Sequence, residues 1–274
     1  MAPKQYLCKS GAVAAIAATL AFSVGGCSTG TTGSDGGEPP LTISAASSLT
    51  DLLRSYGKRT PGEERFSFAG SDQLAAQIRA GAEPDLFASA SLDYPRELAD
   101  QGLVGEPVAF ASNRLVIAVA TSSGLTALDQ LAGDGVDLTI GAAGVPAGDY
   151  AREAIRGLPA PVREGIEANV RSQESDVRGV VGKVSQGAAD AGFAYASDVA
   201  AVEGLRAIEL PAGLQPRISY AISVVSSSDQ PERANGFIDE LTSARGRRLL
   251  VEAGFVPPPS GDTEDPAAAP DAAR

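Results

Sequence analysis

The chain has 274 residues, 43% of them hydrophobic and 20% charged, which is enough length for one large domain or two small ones with a full core. Its net charge of −12, from 22 basic and 34 acidic residues, argues against nucleic acid and anionic lipid surfaces as partners. There is no histidine, so Ser-His-Asp and Cys-His catalysis and all His-ligated metal sites are excluded; with no tryptophan and one methionine, aromatic-cage recognition is poorly supported.

Residues 1–26 hold Lys4 and Lys9 and no acid, so the remainder carries 20 basic against 34 acidic residues, a balance of −14. An apolar run of about fourteen residues, Gly11 to Val24, has the length of a signal-peptide h-region and is shorter than the ~20 residues of a membrane span. Val24-Gly25-Gly26-Cys27 then resembles a bacterial lipobox, in which Cys27 becomes the lipidated first residue and Cys8 leaves with the signal. No disulfide framework is available to the body. Residues 27–40 are the lipidated cysteine and a Gly/Ser/Thr-rich linker with a random-coil reach of roughly 20 Å.

The body runs from Leu41 to about Pro257. Leu41, Ile43 and the small residues after them read as a buried strand, and Leu49, Leu52 and Leu53 begin a helical pattern. Arg65 to Ala69 alternates as a strand does, and Gly70-Ser71-Asp72-Gln73 opens a helix through Leu74 and Ile78 that stops at Gly81. A strand at 85–88 follows, then a helix with Pro95 in its first turn. Residues 113–121 contain a continuous apolar strand, 125–131 a short helix, 138–141 a strand and 150–157 a helix. A short strand at 169–171 precedes a helix through Val180, Val181 and Val184. Strands at 191–195, 207–210 and 218–225 come next, and two helices close the body near Gly254. This alternation predicts an α/β fold with mixed, mainly parallel sheets. Residues 257–274, rich in Pro, Ala and acid, are expected to be a disordered tail.

Nucleotide motifs are absent: Gly141-Ala142-Ala143-Gly144 is not G-x-G-x-x-G, and no P-loop is present. Ser55-Tyr56-Gly57-Lys58 matches S-x-x-K without a K-T-G to accompany it, inside an amphipathic helix. Carboxylates are scattered, with no calcium loop. What recurs is a strand-to-helix junction built from small or hydroxylated residues, at Ser47-Ser48, Gly70-Ser71, Val145-Pro146-Ala147, Ser175-Asp176-Val177 and Tyr195. Each could merely cap its own helix. Facing one cleft, they would present hydroxyls and backbone N–H groups to an anion at the carboxyl ends of the strands. A set made only of donors suits a fully deprotonated anion, because a protonated one brings a hydrogen with no acceptor to meet it.

In order along the chain, several runs resemble the substrate-binding proteins of bacterial molybdate ABC transporters. They are Ala45-Ala46-Ser47-Ser48-Leu49-Thr50, Phe68-Ala69-Gly70-Ser71, Gln77-Ile78-Arg79-Ala80-Gly81-Ala82, Pro84-Asp85-Leu86-Phe87, Asn113-Arg114-Leu115-Val116, Val145-Pro146-Ala147-Gly148, Asp176-Val177-Arg178-Gly179 and Tyr195-Ala196-Ser197-Asp198. The resemblance spans about Leu41 to Val256 and implies the two-lobed periplasmic-binding-protein fold of type II. It places lobe one at 41–117 plus 221–256 and lobe two at 118–220, with the apolar runs near 115–120 and 218–225 as the crossing strands of a hinge. It implies that the oxyanion is held by the hydroxyls and N–H groups of Ser48 and Ser71, the N–H of Ala147, the N–H of Val177 and the phenol of Tyr195. Ala147 offers the first N–H after Pro146, which has none. The ligand implied is molybdate or tungstate, with no cofactor and no free metal cation. The partner implied is an ABC permease with its ATPase. The protein would be a monomer, lipid-anchored on the outer face of the cytoplasmic membrane, and not an enzyme.

Two positions depart from the pattern. Ser47 stands where alanine is common, and Asp72 brings a carboxylate near the expected anion, either turned away to cap its helix or inward, where it would weaken dianion binding. Three alternatives accompany this reading: a binding protein of the same fold for another oxyanion such as sulfate, a carboxylate-dependent enzyme using the cleft, and a lipoprotein whose cleft serves sensing or adhesion.

Overall fold

In the computed structural model, residues 39–59 and 63–258 are described. The leader, Cys27, most of the linker and residues 259–274 of the tail lie outside them. No helix among the described residues is long and apolar enough to cross a membrane.

Strand β1 (Leu41–Ala46) passes through a 3-10 turn, Ser47–Leu49, into α1 (Thr50–Gly57). β2 (Glu64–Ala69) leads to α2 (Ser71–Arg79), and β3 (Leu86–Ser89) to α3 (Asp93–Asp100). β4 (Val108–Ser112) and β5 (Leu115–Ala120) follow in close succession. After a second 3-10 turn, Leu128–Ala132, come β6 (Leu138–Gly141), α4 (Pro146–Arg156) and α5 (Ala160–Asn169). β7 (Val170–Glu174), α6 (Val177–Ser185), β8 (Ala191–Tyr195), α7 (Ala196–Ala200) and β9 (Leu205–Glu209) continue the chain. β10 (Ser219–Val224), α8 (Pro231–Thr242) and α9 (Ala244–Glu252) complete it.

The strands form two five-stranded sheets of matching design, ordered β2-β1-β3-β10-β4 and β7-β6-β8-β5-β9. In each, three neighbours run parallel and the fourth strand is antiparallel to both of its own neighbours. The parallel halves bring the carboxyl ends of β1, β2 and β3 in one sheet, and of β6, β7 and β8 in the other, to the edges where helices begin. The strands expected to cross between the halves do not. β5 lies wholly in the second sheet and β10 wholly in the first, so the chain passes between sheets at 113–114 and again across 210–218. A buried apolar strand reads alike in either sheet, and only its pairing partners tell the two apart.

Packing follows the sequence periodicity. Leu49, Leu52, Leu53 and Tyr56 form one apolar stripe that α1 and the turn before it bury against the first sheet. Val177, Val180, Val181 and Val184 repeat the spacing on α6, where burial overrides the modest helix propensity of β-branched residues. Truncating a side chain such as Leu53 would cost about 2–5 kcal/mol. Three expectations change in detail. Residues 128–132 form a 3-10 turn in place of a helix at 125–131. Helix α5 was hidden by Pro159 and Pro161, which stand at its cap and first turn, where proline is tolerated. The short strand β4, with two alanines in five residues, carries little β signal.

Candidate functional site

All five residues that the resemblance singles out, Ser48, Ser71, Ala147, Val177 and Tyr195, line one small cavity between the two sheets. Its volume is about 10 Å³. That is about the space of one water molecule and far below the ~300 Å³ and more of an organic-ligand pocket. A larger cavity of about 410 Å³ lies against α1, α7 and α9, with Leu52, Tyr56, Leu249 and Phe255 among its walls. It meets the small cavity only at Ser48.

Each junction leaves a donor uncommitted for a local reason. In α4, Pro146 occupies the first position and has no N–H, while the N–H groups of Gly148 and Asp149 both bond the Val145 carbonyl at 2.8 and 2.9 Å. Ala147 between them supplies a first-turn N–H, and such groups have no partner within the helix. In α6, the Asp176 carboxylate caps the helix by accepting from the Gly179 N–H at 3.0 Å, so Val177, the first helical residue, keeps its own N–H for the cavity. In α2, the cap position is Gly70, which has no side chain to compete for the N–H of Ser71. Four helical starts therefore border one cavity, where their unpaired N–H groups favour an anion.

The hydroxyls are oriented by the protein. Ser71 Oγ accepts the N–H of Ala90 at 3.0 Å, and Ser48 Oγ accepts the phenol of Tyr220 at 3.0 Å. With these acceptor directions occupied, each serine proton is free to be donated into the cavity. Tyr195 is 1% exposed, and its phenol oxygen has no hydrogen-bond partner among the described residues. Its ring packs edge-on against Tyr220 and Tyr150, with centroids 5.8 and 6.4 Å away. Burial, reinforced by Tyr220 and Tyr150, pushes the Tyr195 phenol well above its usual range, so it remains a neutral donor at physiological pH. Among the described residues no lysine or arginine lines the cavity, and its one carboxylate, Asp176, turns Oδ1 to its cap.

Asp72 follows neither of its two expected courses. It makes no cap hydrogen bond and does not line the cavity. Its Oδ1 is buried without a partner among the described residues, beside Gly70 and close to Gly144. Tyr220 escaped the sequence reading, because one tyrosine in the apolar run 218–225 looks like core. The contacts that close the cavity escaped it too. The Tyr94 phenol donates to the Gly144 carbonyl, Arg178 pairs with Asp51 at 2.9 Å, and Gly70 abuts the Ser175 carbonyl. Each joins an element of the first sheet to one of the second.

The chain is similar over its whole two-sheet body to several known proteins. The molybdate-binding protein ModA of Mycobacterium tuberculosis is 33% identical over 231 residues, covering 81% of this chain and 86% of that protein. Among solved structures, the substrate-binding domain of a putative molybdenum ABC transporter from Clostridium difficile is similar, at 27% identity and a TM-score of 0.61 over 80% of this chain and 98% of the other. The periplasmic molybdate-binding protein of Azotobacter vinelandii shares the fold at 22% identity, with a TM-score of 0.70 over 80% of this chain and all of the other. The family model for bacterial extracellular solute-binding proteins matches residues 41–256, the whole of the two-sheet body, and the chain belongs to that family.

Proposed function

We propose that the chain captures molybdate, and tungstate alongside it, between its two lobes and delivers it to the permease of an ABC transporter. The observation that carries this reading is the convergence of Ser48, Ser71, Ala147, Val177 and Tyr195 on one small cavity, with the buried Tyr195 phenol unpartnered. The names of the relatives support the choice of ligand. A tetrahedral dianion offers only acceptors, and the cavity offers mostly hydroxyls and backbone N–H groups, with the Asp176 carboxylate turned through Oδ1 to its helix cap. A protonated oxyanion would bury one hydrogen unpaired, at a cost of about 1–3 kcal/mol. Helix dipoles and oriented N–H groups stabilise the charge, so an acidic protein binds an anion without a cationic side chain.

Binding and closing are one event in this reading. Ser48 and Ser71 belong to the lobe of the first sheet, and Ala147, Val177 and Tyr195 to the lobe of the second. The linking segments 113–114 and 210–218 act as the hinge. An anion that touches both lobes favours the closed form by its differential affinity for it, and the permease reads that closed form. The molybdenum needs no protein ligand, since the oxygens of the oxyanion make every contact, and no cofactor takes part. Turnover is not expected: the relatives are binding proteins by name, and the cavity's one carboxylate among the described residues, Asp176, serves as a helix cap through Oδ1. Cys27, once lipidated, would tether the monomer to the outer face of the cytoplasmic membrane through residues 28–40.

Equilibrium binding to Ser48→Ala and Tyr195→Phe tests the site. Each substitution removes one donor to a charged ligand and should weaken molybdate binding by at least about tenfold. Both variants binding as tightly as the parent chain would refute this placement of the ligand.

A further inference from the structure

We propose that Ser47 is a further ligand-binding residue of this cavity, its hydroxyl donating to the bound oxyanion beside that of Ser48. The inference rests on the oxyanion reading above and adds to it a residue at a position where alanine is common in the pattern this chain resembles. Ser47 is the first residue after β1 and lines the small cavity, while bordering none of the larger ones. It is 5% exposed. Its carbonyl points into the helical start, where it accepts the Thr50 hydroxyl at 2.6 Å and the Thr50 N–H. Its own hydroxyl makes no hydrogen bond among the described residues.

That last point separates it from the other two serines of the cavity. Ser48 Oγ and Ser71 Oγ each accept a protein hydrogen, from Tyr220 and Ala90. The Ser47 hydroxyl has neither its proton nor its lone pairs engaged. The hydroxyl keeps some solvent access at the cavity it borders, and an oxyanion seated there would replace that solvent as its partner. The stoichiometry of donors points the same way. Four oxygens with two acceptor directions each make about eight positions on a tetrahedral dianion, by the count that gives a carboxylate four. The five residues above supply seven donors, with Ser48 and Ser71 giving two each and Ala147, Val177 and Tyr195 one each. The hydroxyl of Ser47 completes the set.

Isothermal titration of the full chain and of Ser47→Ala with sodium molybdate tests the proposal, with thermal melts of both proteins without ligand. The expected result is unchanged stoichiometry and unliganded melting temperature with binding on the order of tenfold weaker, the loss of one hydrogen bond to a charged group. Ser47→Cys, which fills the space with a poor donor, should show a loss of similar size. Affinity of Ser47→Ala within twofold of the parent chain, or full recovery in Ser47→Cys, would overturn the proposal and leave the five-residue site standing. No binding of molybdate by the parent chain would overturn the oxyanion reading itself, and this inference with it.

Discussion

Asp198→Asn is expected to change how stability depends on pH, and the structure fixes the sign. The Asp198 carboxyl is buried on α7, and its Oδ2 has no hydrogen-bond partner among the described residues. Burial is the main cause that raises its pKa from 3.8 to about 7. The Arg178 guanidinium opposes the shift, Asp51 and Asp176 add to it, and the backbone N–H of Tyr195 lowers it. Between pH 3.8 and 7 the folded chain keeps a proton that the unfolded chain releases. Stability from this group is therefore full below pH 3.8 and is lost as pH rises through 7. Across the whole window the loss is about 4 kcal/mol, at 1.36 kcal/mol per pH unit. From pH 5 to pH 8 it is about 3 kcal/mol, because the two pH units below 7 still count and those above do not. Asparagine does not titrate, so the stability difference between Asp198→Asn and the parent chain should grow in favour of the variant by about 3 kcal/mol over that interval. Urea unfolding at the two pH values measures this double difference, from which any pH-independent effect of the amide cancels. The oppositely shifted carboxyls Asp85 and Glu174, both lowered by hydrogen bonds against the effect of burial, are common to both proteins and cancel too. An equal difference at pH 5 and pH 8 would refute the reasoning.

Two further outcomes probe closure. Gly70 has a φ of −61°, which alanine adopts freely, but a Cβ there would stand 2.5 Å from the Ser175 carbonyl and from Asp72 Oδ1. Gly70→Ala should therefore leave the unliganded melting temperature nearly unchanged and weaken oxyanion binding by about 1–3 kcal/mol, since the Ser175 clash exists only when the lobes meet and the Asp72 carboxylate can swing aside; equal binding in a titration would count against closure on the ligand. Arg178→Ala removes the 2.9 Å pair with Asp51, whose side chains are 44% and 57% exposed. Its effect on affinity should stay below about 1 kcal/mol and fade at 1 M salt, and a larger, salt-independent loss would assign Arg178 a direct role at the ligand.

The candidate site was legible in the sequence because each of its parts is local. A strand that ends in small residues, a helix that begins on Ser71 or Val177, and a proline that silences the first N–H of α4 are all written within a few positions. Their convergence was not local, and it came from the order of the runs and from resemblance. The closing contacts were illegible for the same reason. Tyr94 meets Gly144 at a separation of 50 residues, Asp51 meets Arg178 at 127, and Ser48 meets Tyr220 at 172, and no periodicity encodes such pairs. The alternation of elements gave the α/β class. It could not tell β5 from a strand of the first sheet, because a run buried on both faces looks the same whichever strands flank it. Asp198 read as an ordinary helix-start acid, and only its burial made it a titrating group of interest.

Calorimetric titration of the full chain with molybdate, tungstate, sulfate and hydrogen phosphate tests the central claim most directly. The account predicts tight one-to-one binding of molybdate and tungstate, with sulfate bound far more weakly and hydrogen phosphate rejected for its proton. Heat from sulfate alone, or from none of the four, would contradict it.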